Sequence, residues 1–144
     1  MDQIFIISND RFYVNKKEFF NSNKNTFTII NCFKKLKKIY LITRNSKKKK
    51  KFKDKIKKKK FKNKYKIFKF QNEIKKRKTL IISLTPYNFL VGCILILMRI
   101  KKKNLFLFLR SDGYEEYSIK FGKLGGFLYH AMLGFIKIKF NIIT

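Results

Sequence analysis

Between Thr79 and Gly126 the chain alternates blocks of apolar and polar positions. An apolar run at residues 79–84 stops at Thr85-Pro86-Tyr87 and opens an apolar helix. A second run at 104–109 stops at Arg110-Ser111-Asp112-Gly113, with Glu115 and Glu116 just beyond. Two successive strand–loop–helix units with polar residues at each strand's carboxyl end predict a parallel α/β sheet. Ligands of such sheets sit outside the carboxyl ends of the strands, so the loops after Leu84 and Leu109 are where chemistry is expected.

The first half follows the same logic less cleanly. Residues 4–8 are β-branched and aromatic and end in Ser8-Asn9-Asp10, which predicts a buried first strand. Residues 11–24, polar with scattered aromatics, predict a long loop over the sheet edge. Asn25-Thr26 predict the cap of a helix through Leu36, with Ile29, Phe33 and Leu36 at helical spacing and Ile30 beside them. Residues 39–43 predict a second strand. Phe52 and Ile56, four apart, predict one amphipathic helix, and residues 65–70 alternate as an outer third strand would.

Residues 79–84 and 104–109 are then the fourth and fifth strands. The chain must return to the other side of the first strand after the third, which gives an expected order of 3-2-1-4-5. Strands 4–8, 79–84 and 104–109 lack alternation, so both their faces should be buried and they should be central. Thr85 suits an N-cap and Pro86 the first helical position, where its missing N–H costs nothing. That helix is expected to reach about Ile100, with Lys101, Lys102 and Lys103 as its basic end. Glu115 and Glu116 suit the positive start of a last helix, bent at Gly125-Gly126 and running to about Ile136. The tail, 137–144, alternates weakly and stops as though mid-domain. The expectation is one Rossmann-like, three-layer α/β domain over residues 1–144, mostly parallel and incomplete at its C-terminus.

Charge changes this picture less than its size suggests. A net charge of +29 ordinarily points to nucleic acid or an anionic membrane. Yet Lys, Asn, Ile, Phe, Tyr and Met supply 91 of the 144 residues, and Arg only 5 of the 37 basic ones. An AT-rich coding sequence imposes that bias and makes lysine the default surface residue. Segment 44–78, with twenty basic and two acidic residues, therefore reads as solvated surface within the domain. It should bind polyanions non-specifically and salt-sensitively, and rest readily on anionic lipid.

Several chemistries find no motif. No glycine precedes Gly92, so no glycine loop follows the first strand to hold a dinucleotide, and neither a P-loop nor a G-x-S-x-G elbow occurs. No cofactor is expected. Cys32 and Cys93 are isolated in apolar stretches and read as buried free thiols; with the single His130 they make no metal site. His130 lies in an apolar segment and reads as a packed helix residue. The N-terminus lacks the charged and apolar regions of a signal peptide.

What remains is a set of strand-end groups. Asn9, Asp10, Asn88, Ser111 and Asp112 can donate to and accept from sugar hydroxyls, and Arg11 or Arg110 can hold an anionic acceptor or a leaving phosphate. Structural alternatives stand beside these. Asp112 also suits a helix cap, Arg110 a salt bridge to Asp112 or Glu115, and Asp10 a pair with Arg11.

Residues 80–89 (LIISLTPYNF) and 109–117 (LRSDGYEEY) resemble the N-terminal half of bacterial GT-B glycosyltransferases, closest to those of the large retaining class that build surface polysaccharides. In that family two Rossmann-like domains face each other, the N-terminal one receiving the acceptor and the C-terminal one binding the nucleotide-sugar. The resemblance implies acceptor contacts from Asn9, Asp10, Arg11, Thr85, Tyr87, Asn88, Ser111 and Gly113, and makes Asp112 and Arg110 the candidate catalytic residues. Many relatives carry a histidine where this chain has Arg110-Ser111-Asp112. A donor-binding domain would need roughly another 150 to 200 residues, so the expectation is a truncated, acceptor-side half, inactive alone. Its expected partners are a sugar or lipid-linked acceptor and, through a C-terminal domain, a nucleotide-sugar. The expected location is the cytoplasm, peripheral on the membrane face. Two other readings stay open: a lysine-rich nucleic-acid-binding protein, and a small membrane protein built on residues 89–98 and 124–136.

Overall fold

The unbroken apolar run at the start of the chain needs cover on both faces, and it has it. A computed structural model describes residues 3–15, 18–21, 23–33, 38–45, 54–57, 61–63, 71–109 and 113–144. The chain runs β1 (Gln3–Asn15), β2 (Glu18–Asn21), α1 (Lys24–Cys32), β3 (Lys38–Asn45), β4 (Asp54–Lys57), β5 (Phe61–Asn63), α2 (Gln71–Lys75), β6 (Lys78–Ile82), α3 (Pro86–Leu97), β7 (Leu105–Phe108), α4 (Gly113–Lys137) and β8 (Asn141–Ile143). β1 lies between β3 and β6, parallel to both, and β7 and β8 continue the parallel sheet beyond β6. Successive side chains of β1 point to opposite faces. Phe5 and Ile7 join a core with Tyr40, Ile42, Ile81 and Leu107, covered by Val91 and Leu95 of α3 and by Tyr129 and Ile136 of α4. Ile4 and Ile6 join the other core with Ile39, Leu41, Leu80 and Ile82, covered by Ile30 of α1. The domain is α/β with helices on both faces, and the three strands expected at its centre are there.

The strand order differs slightly from expectation. In chain order, the five principal parallel strands β1, β3, β6, β7 and β8 lie as 2-1-3-4-5 rather than 3-2-1-4-5. The expected third strand, 65–70, lies outside the described residues. The three-residue β5 pairs in parallel outside β3 instead, and the weakly alternating tail supplies β8 at the far edge. Nor is 11–24 one long loop. β1 continues because Phe12 is fully buried beneath α1, and β2 then pairs antiparallel with its end. Ile56, expected in a helix, sits in β4, antiparallel to β2; Phe52 lies outside the described residues.

Helix ends follow local chemistry. α1 is capped by Asn23, whose Oδ1 accepts from the backbone N–H of Asn25 at 3.1 Å and of Thr26 at 3.5 Å. The expected cap at Asn25-Thr26 was two residues late. α3 starts as expected, with Thr85 Oγ1 accepting from Asn88 N at 3.2 Å and Pro86 in the first turn. It ends at Leu97, before Ile100, because Arg99 turns left-handed (φ 55). Arg99 N then donates to Ile96 O and Ile100 N to Leu95 O, a Schellman closure that buries Ile100 near Leu95. No helix among the described residues is long and apolar enough to cross a membrane. Residues 89–98 lie in α3 and its C-cap, with Val91, Leu95 and Met98 buried against the sheet.

α4 is a helical hairpin. A straight helix would place Tyr114 and His130 about 24 Å apart; their ring centroids are 4.6 Å apart. The chain reverses at Gly122 (φ 69, ψ -169), a conformation essentially restricted to glycine, and not at Gly125-Gly126. Those two glycines have a different task. A Cβ on Gly125 would strike the Tyr117 carbonyl and lie 2.7 Å from Phe121 Cβ, and one on Gly126 would strike Ser118 Oγ. Their bare backbones let the two limbs touch.

Candidate functional site

A bulge in β1, the loop after β6 and the start of α4 meet at the carboxyl edge of the sheet. At β1 the register against β3 slips: Ile7 pairs with Ile42, but the next pair is Arg11 with Arg44. Ser8, Asn9 and Asp10 bulge out of the ladder there, as bulges beside functional sites commonly do. The Asp10 carboxylate accepts from Ser8 Oγ at 3.0 Å, from Asn23 Nδ2 at 3.2 Å and from Thr26 Oγ1. Ser8 Oγ accepts in turn from Asp10 N at 3.2 Å. Asp10 therefore ties the bulge to the first turn of α1, where the helix dipole favours a negative charge. Asn9 Oδ1 accepts from Arg44 at 3.3 Å.

The loop leaves β6 through Ser83, whose left-handed φ of 62 is unusual for a residue with a Cβ. Two anchors hold it. Ser83 N donates to Phe108 O at 2.9 Å, and Asn88 Nδ2 donates to Ile82 O at 2.7 Å and Ser83 O at 2.8 Å. The third side comes from α4: Gly113, Glu116, Tyr117, Lys120, Phe121 and, from the returning limb, Tyr129. Gly113 is buried against the Tyr129 ring, which occupies the place a Cβ would need. Glu116 pairs with Lys120 one turn on. Burial, with a smaller push from Glu116, raises the Tyr117 phenol above its ordinary pKa, so it remains a neutral donor.

Together these segments enclose a cleft of about 410 Å³, within the usual span of small-molecule sites of roughly 300–1,000 Å³. Part of its lining is hydroxyl, amide and carboxylate (Ser8, Asn9, Asp10, Asn23, Thr26, Thr85), and the α4 part is aromatic (Tyr117, Phe121, Tyr129) with the Glu116–Lys120 pair. No family model, curated protein or solved structure matches this chain. Its chemistry is therefore read from the cleft itself. The polar wall offers donors and acceptors to a polyhydroxylated ligand, and the rings offer a surface for its C–H face. Among the described residues, no group of three His, Cys, Asp or Glu side chains is placed to hold a metal ion.

Of the residues expected at the site, Asn9, Asp10, Thr85 and Gly113 line the cleft. Arg11 is exposed and outside its lining, and Asp10 bonds to Asn23 and Thr26 rather than serving as Arg11's partner. Tyr87 packs against the core between α3 and the sheet. Asn88 is fully buried: its Nδ2 donates to two carbonyls and so shapes the Ser83 turn, while its Oδ1 meets no partner among the described residues. Arg110, Ser111 and Asp112 lie outside the described residues. Cys32 is exposed, against the expectation of burial; Cys93 is partly buried, which raises its thiol pKa. Sequence reasoning missed Asn23, Thr26, Lys120 and Tyr129. Only the N-cap signal at Asn23 was readable, since contact with Asp10 joins segments 13 and 16 residues apart.

Proposed function

We propose that this chain is the acceptor-side domain of a glycosyltransferase, receiving a sugar or lipid-linked acceptor in the strand-end cleft. The observation that carries the reading is the pairing of a hydroxyl- and amide-rich wall around Asp10 with the aromatic wall of Tyr117, Phe121 and Tyr129. Sugars present those two faces, hydroxyl edges and apolar C–H planes. The resemblance of residues 80–89 and 109–117 to GT-B enzymes supports the same assignment. Asn9, Asp10 and Thr85 orient acceptor hydroxyls, and Arg110 and Asp112 act at the reacting sugar.

On this reading the chain does not transfer sugar by itself, because the donor is held by a facing domain. Transfer needs both sugars in one dry cleft, and proximity supplies much of the acceleration. The test is sugar transfer by the 144-residue chain alone and fused to a donor-binding domain, with thermal unfolding of each variant in parallel. The expected result is no turnover alone and turnover by the fusion. Asp112→Ala and Arg110→Ala should then lower turnover by roughly tenfold or more with little change in stability. Robust transfer by the chain alone, or variants that lose stability but keep turnover, would overturn the assignment.

A further inference from the structure

The α4 hairpin is apolar on both sides. Its inner side packs on the sheet through Tyr129 and Ile136, while Leu124, Phe127, Leu128 and Phe135, with Ile138 just past its end, form a second stripe along its returning limb. That stripe faces outward: Leu124 is 69 % exposed, Phe127 68 %, and Ile119 and Phe121 beside the turn 85 % and 66 %. An exposed apolar patch of this extent marks an interaction surface.

Its charges say what kind. Residues 117–144 contain no Asp or Glu, and their basic side chains, Lys120, Lys123, Lys137 and Lys139, are all exposed. Bulky apolar residues at the turn and along the returning limb, with lysines there whose stems can lie along apolar surface, match a bilayer interface with anionic headgroups, while the hairpin's two acidic residues, Glu115 and Glu116, sit at the far end of the first limb, Glu116 paired with Lys120. No helix among the described residues is long and apolar enough to cross the membrane, so the hairpin would lie in the interface rather than span it. We propose that the α4 hairpin docks the protein on an anionic lipid surface, inserting its Gly122 turn and outward stripe among the headgroups. Lys120 and Phe121 also line the cleft, so docking sets the cleft's rim at the lipid surface. The inference stands on the hairpin alone and not on the sugar reading of the cleft.

The chain contains no Trp, so Phe127→Trp gives a reporter without background. Vesicles of phosphatidylcholine with and without phosphatidylglycerol are the probe, and no sugar or donor is needed. The expected result is blue-shifted emission from position 127 with anionic vesicles, and quenching by brominated lipid. The double variant Leu124→Asp/Phe127→Asp, both at exposed positions, should lose roughly tenfold or more in vesicle affinity while circular dichroism stays unchanged. Sedimentation with vesicles but unshifted emission would assign binding to the lysine-rich segment and overturn the proposal. So would a double variant that binds as wild type does, or a wild-type dimer that the double variant breaks and that ignores vesicles. If the double variant fails to fold, the emission shift and quenching decide.

Discussion

Asp10→Ala is expected to lower folding stability by about 3 kcal/mol, one of the two largest effects among single substitutions here. The carboxylate accepts from Ser8, Asn23 and Thr26, and hydrogen bonds to a charged group are each worth about 1.5–3 kcal/mol. The loss is not three times that, because Asn23 keeps its capping bonds to Asn25 N and Thr26 N. Thr26 suffers most: it is 1 % exposed, and its hydroxyl would lose the acceptor it bonds. Asp10→Asn should recover part of the loss, since its carbonyl still accepts from a hydroxyl while the fixed charge at the start of α1 is gone. Urea denaturation of the three proteins is the measurement. A change under about 0.5 kcal/mol for Asp10→Ala, the range of an ordinary surface substitution, would mean that the network does not hold the bulge to α1.

Gly125→Val is the second. Its Cβ would meet the Tyr117 backbone carbonyl, which cannot swing aside as a side chain could. Overpacking of that kind costs about 1–3 kcal/mol, and the branched side chain places it at the upper end. The limbs must separate, which pulls Tyr117 from Tyr129 (ring centroids 5.4 Å apart) and opens the aromatic wall of the cleft. A midpoint lowered by roughly 5–10 °C is expected, with altered near-ultraviolet dichroism from the displaced tyrosines. Gly134→Ala is the control, because nothing lies within 4 Å of a Cβ there. If Gly125→Val melts with Gly134→Ala, the limbs are not in contact as described.

These two sites show what the sequence revealed and what it withheld. Burial of Phe5 and Ile7 on one face and of Ile4 and Ile6 on the other was legible, because a strand covered on both sides cannot alternate. Thr85-Pro86 was legible too, as its capping chemistry is local. The reversal at Gly122 was not. Glycine serves both a left-handed turn and a close packing contact, and the run Gly122, Gly125, Gly126 does not say which residue does which. The structural task of Asn88 was hidden for a similar reason: a primary amide that can meet a sugar hydroxyl can equally clamp two strand-end carbonyls, as its Nδ2 does beside the left-handed Ser83. The aromatic wall escaped notice because Tyr129 reaches the cleft only once α4 folds back.

In the proposed function, the cleft between the β1 bulge, the Ser83 turn and the α4 hairpin receives a sugar acceptor. It is tested most directly by titrating isotopically labelled protein with methyl glycosides and with a short-chain polyprenyl-phosphate sugar, following backbone amide shifts. Saturable shifts are expected at Asn9, Asp10, Thr26, Thr85, Gly113 and Lys120, which line the cleft from four separate parts of the chain. Absence of shifts at these residues across the whole panel, or shifts confined to the lysine-rich segment 44–78, would contradict it.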